Sequence, residues 1–378
     1  MYNILTLNKI SAIVNEILKG YNIGADIANP DSIIVRSCKM HDYAVGDRLL
    51  AIARAGAGVN NIPVEEMGKR GIVVFNSPGA NANAVLELTL CSLLLASRDI
   101  IEGVRWCDSL SGADVDKQVE KGKAAYAGNE ILGKTLGLIG LGAIGAKVAN
   151  AATLLGMRVI GYDPYISDEN KAVLNEKVKI VYSLSQVYAE SDYISLHIPL
   201  IAETKDIINA ASIAQMKDGV KIINMSRGGL VCTLDIVAAL ASGKVKKYVT
   251  DFPGAEESNQ AGIIPIPHLG ASTAEAEENC AIMAANQIKD YLENGNIANS
   301  VNFPAIKVAP KGNHRLQVIA KNYDEFYNDL NVVFSGESIN IAANKDYKVA
   351  LIDADVIENE KIKAIAKLPQ IIRARLIK

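Results

Sequence analysis

The sequence predicts an α/β protein: two doubly wound parallel-sheet domains followed by a small α+β domain. Three observations predict it. Short apolar runs alternate with helical stretches up to about residue 281, and such alternation builds parallel sheets. A glycine loop, Gly140-Leu141-Gly142-Ala143-Ile144-Gly145, joins one of these runs to an Ala-rich helical stretch. Beyond Pro304, Pro310 and Gly312 the order of elements changes to β-α-β-β-α-β.

In chain order, residues 4–7, 32–35, 50–53 and 72–75 are apolar runs of strand length, and 11–18 and 64–70 have helical spacing. Residues 84–98 read as a long helix, apolar nearly all round, which predicts burial and a crossing out of the first domain. Strands follow at 135–139, 158–162, 180–181, 193–197, 221–225, 248–251 and 263–266, with a helix at 146–155. A second long helix, 273–294, is expected to carry the chain back. The expected division is a discontinuous substrate-binding domain (1–97 and 282–304), a Rossmann-type dinucleotide domain (98–281) and a C-terminal domain (310–378). The last has strands at 315–320, 338–342, 347–352 and 372–377 and helices at 323–333 and 358–368, the ferredoxin-like split βαβ arrangement.

The composition narrows the class. Of 378 residues, 49% are apolar and 21% charged, as in a globular protein, and the formal net charge is −3. That balance gives no reason to expect nucleic acid or an anionic membrane as partner. No apolar run approaches the length of a membrane span, and the polar N-terminal stretch reads as a first strand rather than a signal peptide. The five cysteines (38, 91, 107, 232, 280) are scattered and fit neither a metal spacing nor a disulfide framework; reduced thiols in a cytoplasm are expected, and no metal.

The glycine loop carries the first chemistry. Its first glycine, Gly140, allows a tight turn out of the strand, Gly142 lets backbone approach a pyrophosphate, and Gly145 lets helix and strand pack closely. The helix start at Ala143 and Ile144 then offers free N–H groups and a partial positive charge. The next strand ends in Asp163, whose carboxylate suits the two ribose hydroxyls of NAD and repels a 2′-phosphate. The expected cofactor is NAD.

Three later segments place charges at strand ends: Asn224-Met225-Ser226-Arg227-Gly228-Gly229, Asp251-Phe252-Pro253-Gly254-Ala255-Glu256, and Pro267-His268-Leu269-Gly270-Ala271-Ser272-Thr273. Ligands of a doubly wound sheet bind outside the carboxyl ends of its strands, so Arg227, Glu256 and His268 can converge. Taken singly, they read as a helix cap, a solvated loop charge and a hydrogen-bonded histidine. Together, beside a dinucleotide motif, they read as a reacting set. Oxidising a secondary alcohol needs a base, which histidine supplies near neutral pH. A carboxylate fixes and charges the imidazole, and an arginine fork binds a substrate carboxylate and polarises a carbonyl. Of the four histidines, His41 and His314 read as surface or loop positions, and His197 as lining the cofactor cleft.

These segments, with Ala53-Arg54-Ala55-Gly56-Ala57-Gly58-Val59-Asn60-Asn61 and Asn76-Ser77-Pro78-Gly79-Ala80-Asn81, resemble the D-2-hydroxyacid dehydrogenases over residues 1 to about 304. The resemblance is strongest to the branch that oxidises 3-phosphoglycerate to 3-phosphooxypyruvate, the first step of serine synthesis. It implies catalytic roles for Arg227, Glu256 and His268, with Glu256 paired to His268. It also implies NAD contacts at Ala57, Ile144, Asp163, His197, Ile198, Pro199, Met225, Ser226, Asp251, His268 and Gly270. Where the family has Val-Phe after the aspartate, this chain has Phe252-Pro253.

For the substrate, the resemblance points to Arg36, Ser37, Arg54, Gly56, Ala57, Gly58, Asn81 and Arg227. Arg36 and Arg54 both end predicted strands, and two guanidinium groups suit a dianion such as a phosphate better than a neutral tail. The glycine turn 56–58 offers backbone N–H groups to the substrate carboxylate. The C-terminal domain resembles an ACT domain, which in this family can bind serine, although Asn322-Tyr323-Asp324-Glu325-Phe326 lacks the usual Pro-Gly pair. A structural or dimerising role stands beside serine binding, and the expected partners are a small-molecule substrate and further copies of the chain, as dimer or tetramer. A reductase of glyoxylate or hydroxypyruvate, or a non-catalytic NAD-sensing protein, are the alternative readings.

Overall fold

Strand formation follows the apolar runs. In the computed structural model, which describes residues 1–377, β1 (Asn3–Leu7), β2 (Asn22–Gly24), β3 (Ser32–Val35), β4 (Ala51–Arg54) and β5 (Val73–Phe75) form one sheet. Its order is β2-β1-β3-β4-β5 and every pairing is parallel. Side chains alternate between two buried faces, as a parallel sheet covered on both sides requires. Ile4, Ile34, Ala53 and Val73 join one core with Ala284, Ile288 and Tyr291 of the helix Ala274–Asn294. Leu5, Ile33, Ile52 and Val74 join the other. This sheet belongs to a unit formed by Met1–Asn81 and Ala274–Lys378; the second unit is Ala82–Thr273.

The second unit holds a seven-stranded sheet of β6 (Thr135–Ile139), β7 (Arg158–Tyr162), β8 (Lys179–Ile180), β9 (Tyr193–Leu196), β10 (Val220–Asn224), β11 (Val245–Thr250) and β12 (Ile263–Pro265). The order is β12-β11-β10-β9-β6-β7-β8, all parallel. The chain winds one way from β6 to β8 and the other from β9 to β12, so the carboxyl ends of β6 and β9 form the topological switch point. The long helix Ala82–Ser97 lies in this unit, where Val85, Leu93 and Ala96 pack with Val148, Ala149 and Ala152 of the helix Ala143–Leu154. Its hydroxyls are consumed internally: Thr89, Ser92 and Ser97 each donate to the carbonyl four residues back. Residues 100–126, to which the sequence reading assigns no element, form the helices Ile100–Ser109 and Val115–Gly122, neither of which buries a residue.

The C-terminal segment folds as an antiparallel sheet of β13 (His314–Lys321), β14 (Ser338–Ala343), β15 (Tyr347–Ala354) and β16 (Ile371–Ile377), in the order β14-β15-β13-β16. With the helices Phe326–Val333 and Asn359–Ala366 this completes β-α-β-β-α-β. The sheet is covered on both faces. Leu316, Val318, Ala350 and Ile352 pack with Phe326, Leu330 and Ile365, whereas Ile319, Val349 and Leu351 join the core around the helix Ala274–Asn294. On that second face Arg315 and Asp353 are cross-strand partners, 2% and 3% exposed, joined by bonds of 2.6 and 2.8 Å. Arg315 also donates to Asn294 O and Val308 O, Arg375 to Tyr291 O, and Gln317 to Gly295 O. The sheet thereby satisfies the last carbonyl of the long helix, Asn294 O, and the one beyond it, Gly295 O, and adds a second donor to Tyr291 O, which also accepts from Gly295 N. The fold class read from the sequence is the observed one. Among the described residues no helix is long and apolar enough to cross a membrane.

Candidate active site

The glycine loop follows β6 at the switch point. Gly140 has φ +98°, and a Cβ there would also strike His197 O. A Cβ on Gly145 would strike Gly140 O, so turn and helix are in direct contact. Gly142, at the helix N-cap, has no side-chain cap, and a Cβ on it would meet nothing within 4 Å. The first helical hydrogen bond falls from Ala146 N to Gly142 O, leaving the N–H groups of Ala143, Ile144 and Gly145 outside the helical ladder. Asp163 closes the edge of the loop: its carboxylate accepts from Leu141 N at 2.8 Å and Tyr165 N at 2.9 Å. An open glycine, unpaired amides and a held carboxylate fit a dinucleotide. Asp163→Ala is expected to weaken NAD and reduce its preference over NADP by roughly tenfold or more, as loss of charge-assisted bonds does; paired KM measurements check this.

Beside the loop, Nε2 of His197 lies 2.9 Å from Ser195 Oγ, and burial lowers the His197 pKa from 6.5 to about 4. The imidazole is neutral at pH 7. An unfolded chain takes up this proton near pH 6.5 and the folded chain only near pH 4, so the folded form holds fewer protons between those values. This contribution to stability is complete above pH 6.5 and is lost as pH falls toward 4. Urea unfolding across that window is expected to show the slope, and His197→Asn to remove it.

The turn after β10 is organised by Asn224, which is fully buried. Its Oδ1 accepts from Ser226 N and Arg227 N at 3.1 and 3.3 Å, and its Nδ2 donates to Arg227 O at 2.8 Å. Ser226 Oγ donates to Ile198 O at 2.7 Å, tying this turn to the one after β9. Arg227 is exposed, and its Nη1 donates to Ser226 O at 2.6 Å. Asp251, directly after β11, is 1% exposed; its Oδ2 accepts from Gly270 N at 3.1 Å and its Oδ1 has no partner. Burial pushes the Asp251 pKa up, while the charges of His268 and Arg227 pull it down. Asp251 thus marks the centre of a neighbourhood that includes both.

His268 is exposed, and its ring packs on Phe252 with centroids 4.3 Å apart. Among the described residues its imidazole makes no hydrogen bond or ion pair, and the structure does not bring Glu256 to it. Glu256 is exposed, whereas the next residue, Glu257, is 4% exposed and accepts from Gly254 N at 2.7 Å and Thr233 Oγ1 at 3.1 Å. An aromatic ring occupies the flank of the imidazole, and the inward carboxylate of the loop is Glu257.

In the first unit, Arg36 follows β3 and Arg54 ends β4, with Val35 and Arg54 in register. Arg54 Nε donates to Arg36 O at 3.0 Å, and Arg36 pairs with Glu277. The turn 54–58 is held from behind: Ser77 Oγ donates to Arg54 O, Ser77 N to Gly56 O, and Asn76 Nδ2 to Ala57 O at 2.7 Å. Ser37 N donates to Asn8 Oδ1, and the buried Oδ1 of Asn81 has no partner. Asn224, Glu257 and Glu277 were not legible as site residues. Of the three only Asn224, at a strand end before a glycine turn, carries a recognisable signal. Among the described residues no cluster of His, Cys, Asp and Glu could hold a metal ion.

Comparison with known proteins agrees with this layout. Residues 92–272 match the family described as D-isomer specific 2-hydroxyacid dehydrogenase, NAD binding domain. The D-3-phosphoglycerate dehydrogenase of Haemophilus influenzae is 35% identical over 348 residues, covering 87% of this chain and 82% of that one. The hydroxypyruvate reductase of Thermotoga maritima is 39% identical over 274 residues, 69% of this chain and 85% of that one. Among solved structures, the NAD+-bound 3-phosphoglycerate dehydrogenase of Entamoeba histolytica aligns with a TM-score of 0.63 at 26% identity, over 80% of this chain and 98% of that one.

Proposed function

Since the chain belongs to the D-isomer specific 2-hydroxyacid dehydrogenases, we propose that it oxidises 3-phospho-D-glycerate to 3-phosphooxypyruvate, the first step toward L-serine. The observation that carries the substrate is the pair of arginines at adjacent strand ends, Arg36 and Arg54, held together by the bond from Arg54 Nε to Arg36 O. The residues for NAD are the loop 140–145, Asp163, Ile198, Met225 and Asp251, whose unpartnered buried oxygen suits a donor on the nicotinamide end. NAD, when bound, supplies the hydride acceptor.

The chain's own residues supply the rest. His268 takes the proton of the C2 hydroxyl. Arg227 holds the substrate carboxylate and the C2 oxygen, where negative charge grows in the reverse direction. Glu256, the partner that the resemblance implies for His268, is exposed and not paired with the imidazole; Asp251, on which the charge of His268 acts, is the carboxylate near it. Arg36 and Arg54 hold the phosphate. Replacing either arginine by alanine is expected to raise KM for 3-phosphoglycerate roughly tenfold or more, the worth of a charge-assisted bond, and KM for an unphosphorylated 2-hydroxy acid by less than about twofold. Equal effects on both substrates defeat the phosphate assignment.

A second reading, reduction of hydroxypyruvate or glyoxylate, draws on the Thermotoga relative and on the engagement of Arg36 by Glu277. The module of residues 310–378 is read as ACT-like with a structural role, supported by a sheet covered on both faces; a rise in melting temperature with serine would assign it an effector role as well. Self-association is supported by the helices Ile100–Ser109 and Val115–Gly122, which bury nothing while Ile100 and Val104 stand exposed. A cytoplasmic location is supported by five unpaired cysteines, two of them exposed.

A further inference from the structure

Arg36 does not stand open at the end of β3. Its Nη2 lies 2.5 Å from Oε1 of Glu277, in the first turn of the helix Ala274–Asn294. The two side chains are 36% and 40% exposed, so a small solute can reach both. Arg54 is fixed alongside, with its Nη1 only 2.9 Å from where a Cβ on Gly56 would stand. Burial raises the pKa of the Cys280 thiol, Arg54 and Arg36 lower it, and Glu277 raises it again, which sets the three charges around one side chain. This corner therefore holds two cations and one anion, and the anion already engages Nη2 of one of the arginines assigned to phosphate.

We propose that Glu277 is an internal competitor in this anion site: it holds Arg36 when no dianion is present, releases it to a phosphate dianion, and so sets the preference for doubly charged over singly charged or neutral substrate tails. The inference rests on the assignment of Arg36 and Arg54 to the substrate phosphate. An arginine binds carboxylate and phosphate through the same kind of N–H groups, so Glu277 and a phosphate compete for Nη2 of Arg36. An exposed ion pair is weak, and a group of charge near −2 displaces it; a neutral tail leaves it intact. Glu277 thus weakens binding of the phosphorylated acid by a modest factor and keeps Arg36 from accepting a singly charged tail.

The test is Glu277→Gln in the full chain, which keeps size and hydrogen bonding and removes the charge. KM for 3-phosphoglycerate is expected to fall about two- to fivefold, in line with the strength of an exposed pair. The inhibition constant of inorganic phosphate should fall by a similar factor, and Glu277→Asp should recover part of the difference. Inorganic phosphate should also raise the melting temperature of Glu277→Gln more than that of the parent, a readout that needs no turnover. Unchanged phosphate inhibition and an unchanged melting response in Glu277→Gln, alongside a raised KM in Arg36→Ala, would overturn the role of Glu277 alone. If Arg36→Ala leaves KM for 3-phosphoglycerate at the parent value, the phosphate assignment itself is wrong and the competitor role falls with it.

Discussion

His268→Ala lowers kcat for the hydroxy acid by roughly a thousandfold, within the ~10²–10⁴ that a positioned acid–base group contributes. The side chain is exposed, makes no hydrogen bond among the described residues and packs its ring on Phe252. Its removal therefore leaves little to disturb folding, and an unchanged melting temperature assigns the loss to chemistry. Wild-type turnover in His268→Ala would remove the base. The parallel replacement of Glu256 and Glu257 by glutamine separates their roles. The exposed Glu256, unpaired with His268, is expected to leave kcat and the melting temperature near the parent values when replaced. The buried Glu257 acts by holding the loop at Gly254 and Thr233, so its loss is expected to lower the melting temperature as well.

Asp353→Ala destabilises the first unit by about 3–5 kcal/mol, the cost of leaving a buried guanidinium without its carboxylate. The size follows from position. Arg315 and Asp353 are almost wholly buried, their pairing is two-pronged, and Arg315 also carries Asn294 O and Val308 O. The double replacement Arg315→Met with Asp353→Leu removes both charges and is expected to cost less than Asp353→Ala, even though two carbonyls lose a donor. Urea unfolding gives both values. A loss below about 1 kcal/mol for Asp353→Ala would mean that the C-terminal sheet unfolds apart from the long helix it caps.

The parallel sheets were legible because their strands are continuous apolar runs between glycine turns: Thr135–Ile139 is buried at all five positions. The strand Asn22–Gly24 was not, since one exposed and two half-buried residues carry no period. Nor were the helices Ile100–Ser109 and Val115–Gly122, whose few apolar residues join no core of this chain; their neighbourhood is marked instead by Trp106 stacked on Tyr126. In β13, Arg315 and Gln317 interrupt the apolar alternation and hide the second buried face. Their purpose appears only when the carbonyls of Asn294 and Gly295 stand beside them.

The site divides in the same way. The glycine loop, Asp163 and the turn at Arg227 follow from local rules about backbone and charge, and they are readable in a single segment. The surroundings of His268 depend on which of two adjacent glutamates turns inward, and two identical side chains side by side do not announce which it is. The pairing of Arg36 with Glu277 joins residues far apart in the chain, and nothing in either segment announces it.

The most direct measurement is NADH formation by the full chain against a panel of 2-hydroxy acids with and without a phosphate. The kcat/KM for 3-phosphoglycerate is expected to exceed that for glycerate by at least about tenfold for each arginine engaged, and to lose that advantage in Arg36→Ala with Arg54→Ala. An equal or higher kcat/KM for the unphosphorylated acids would contradict it.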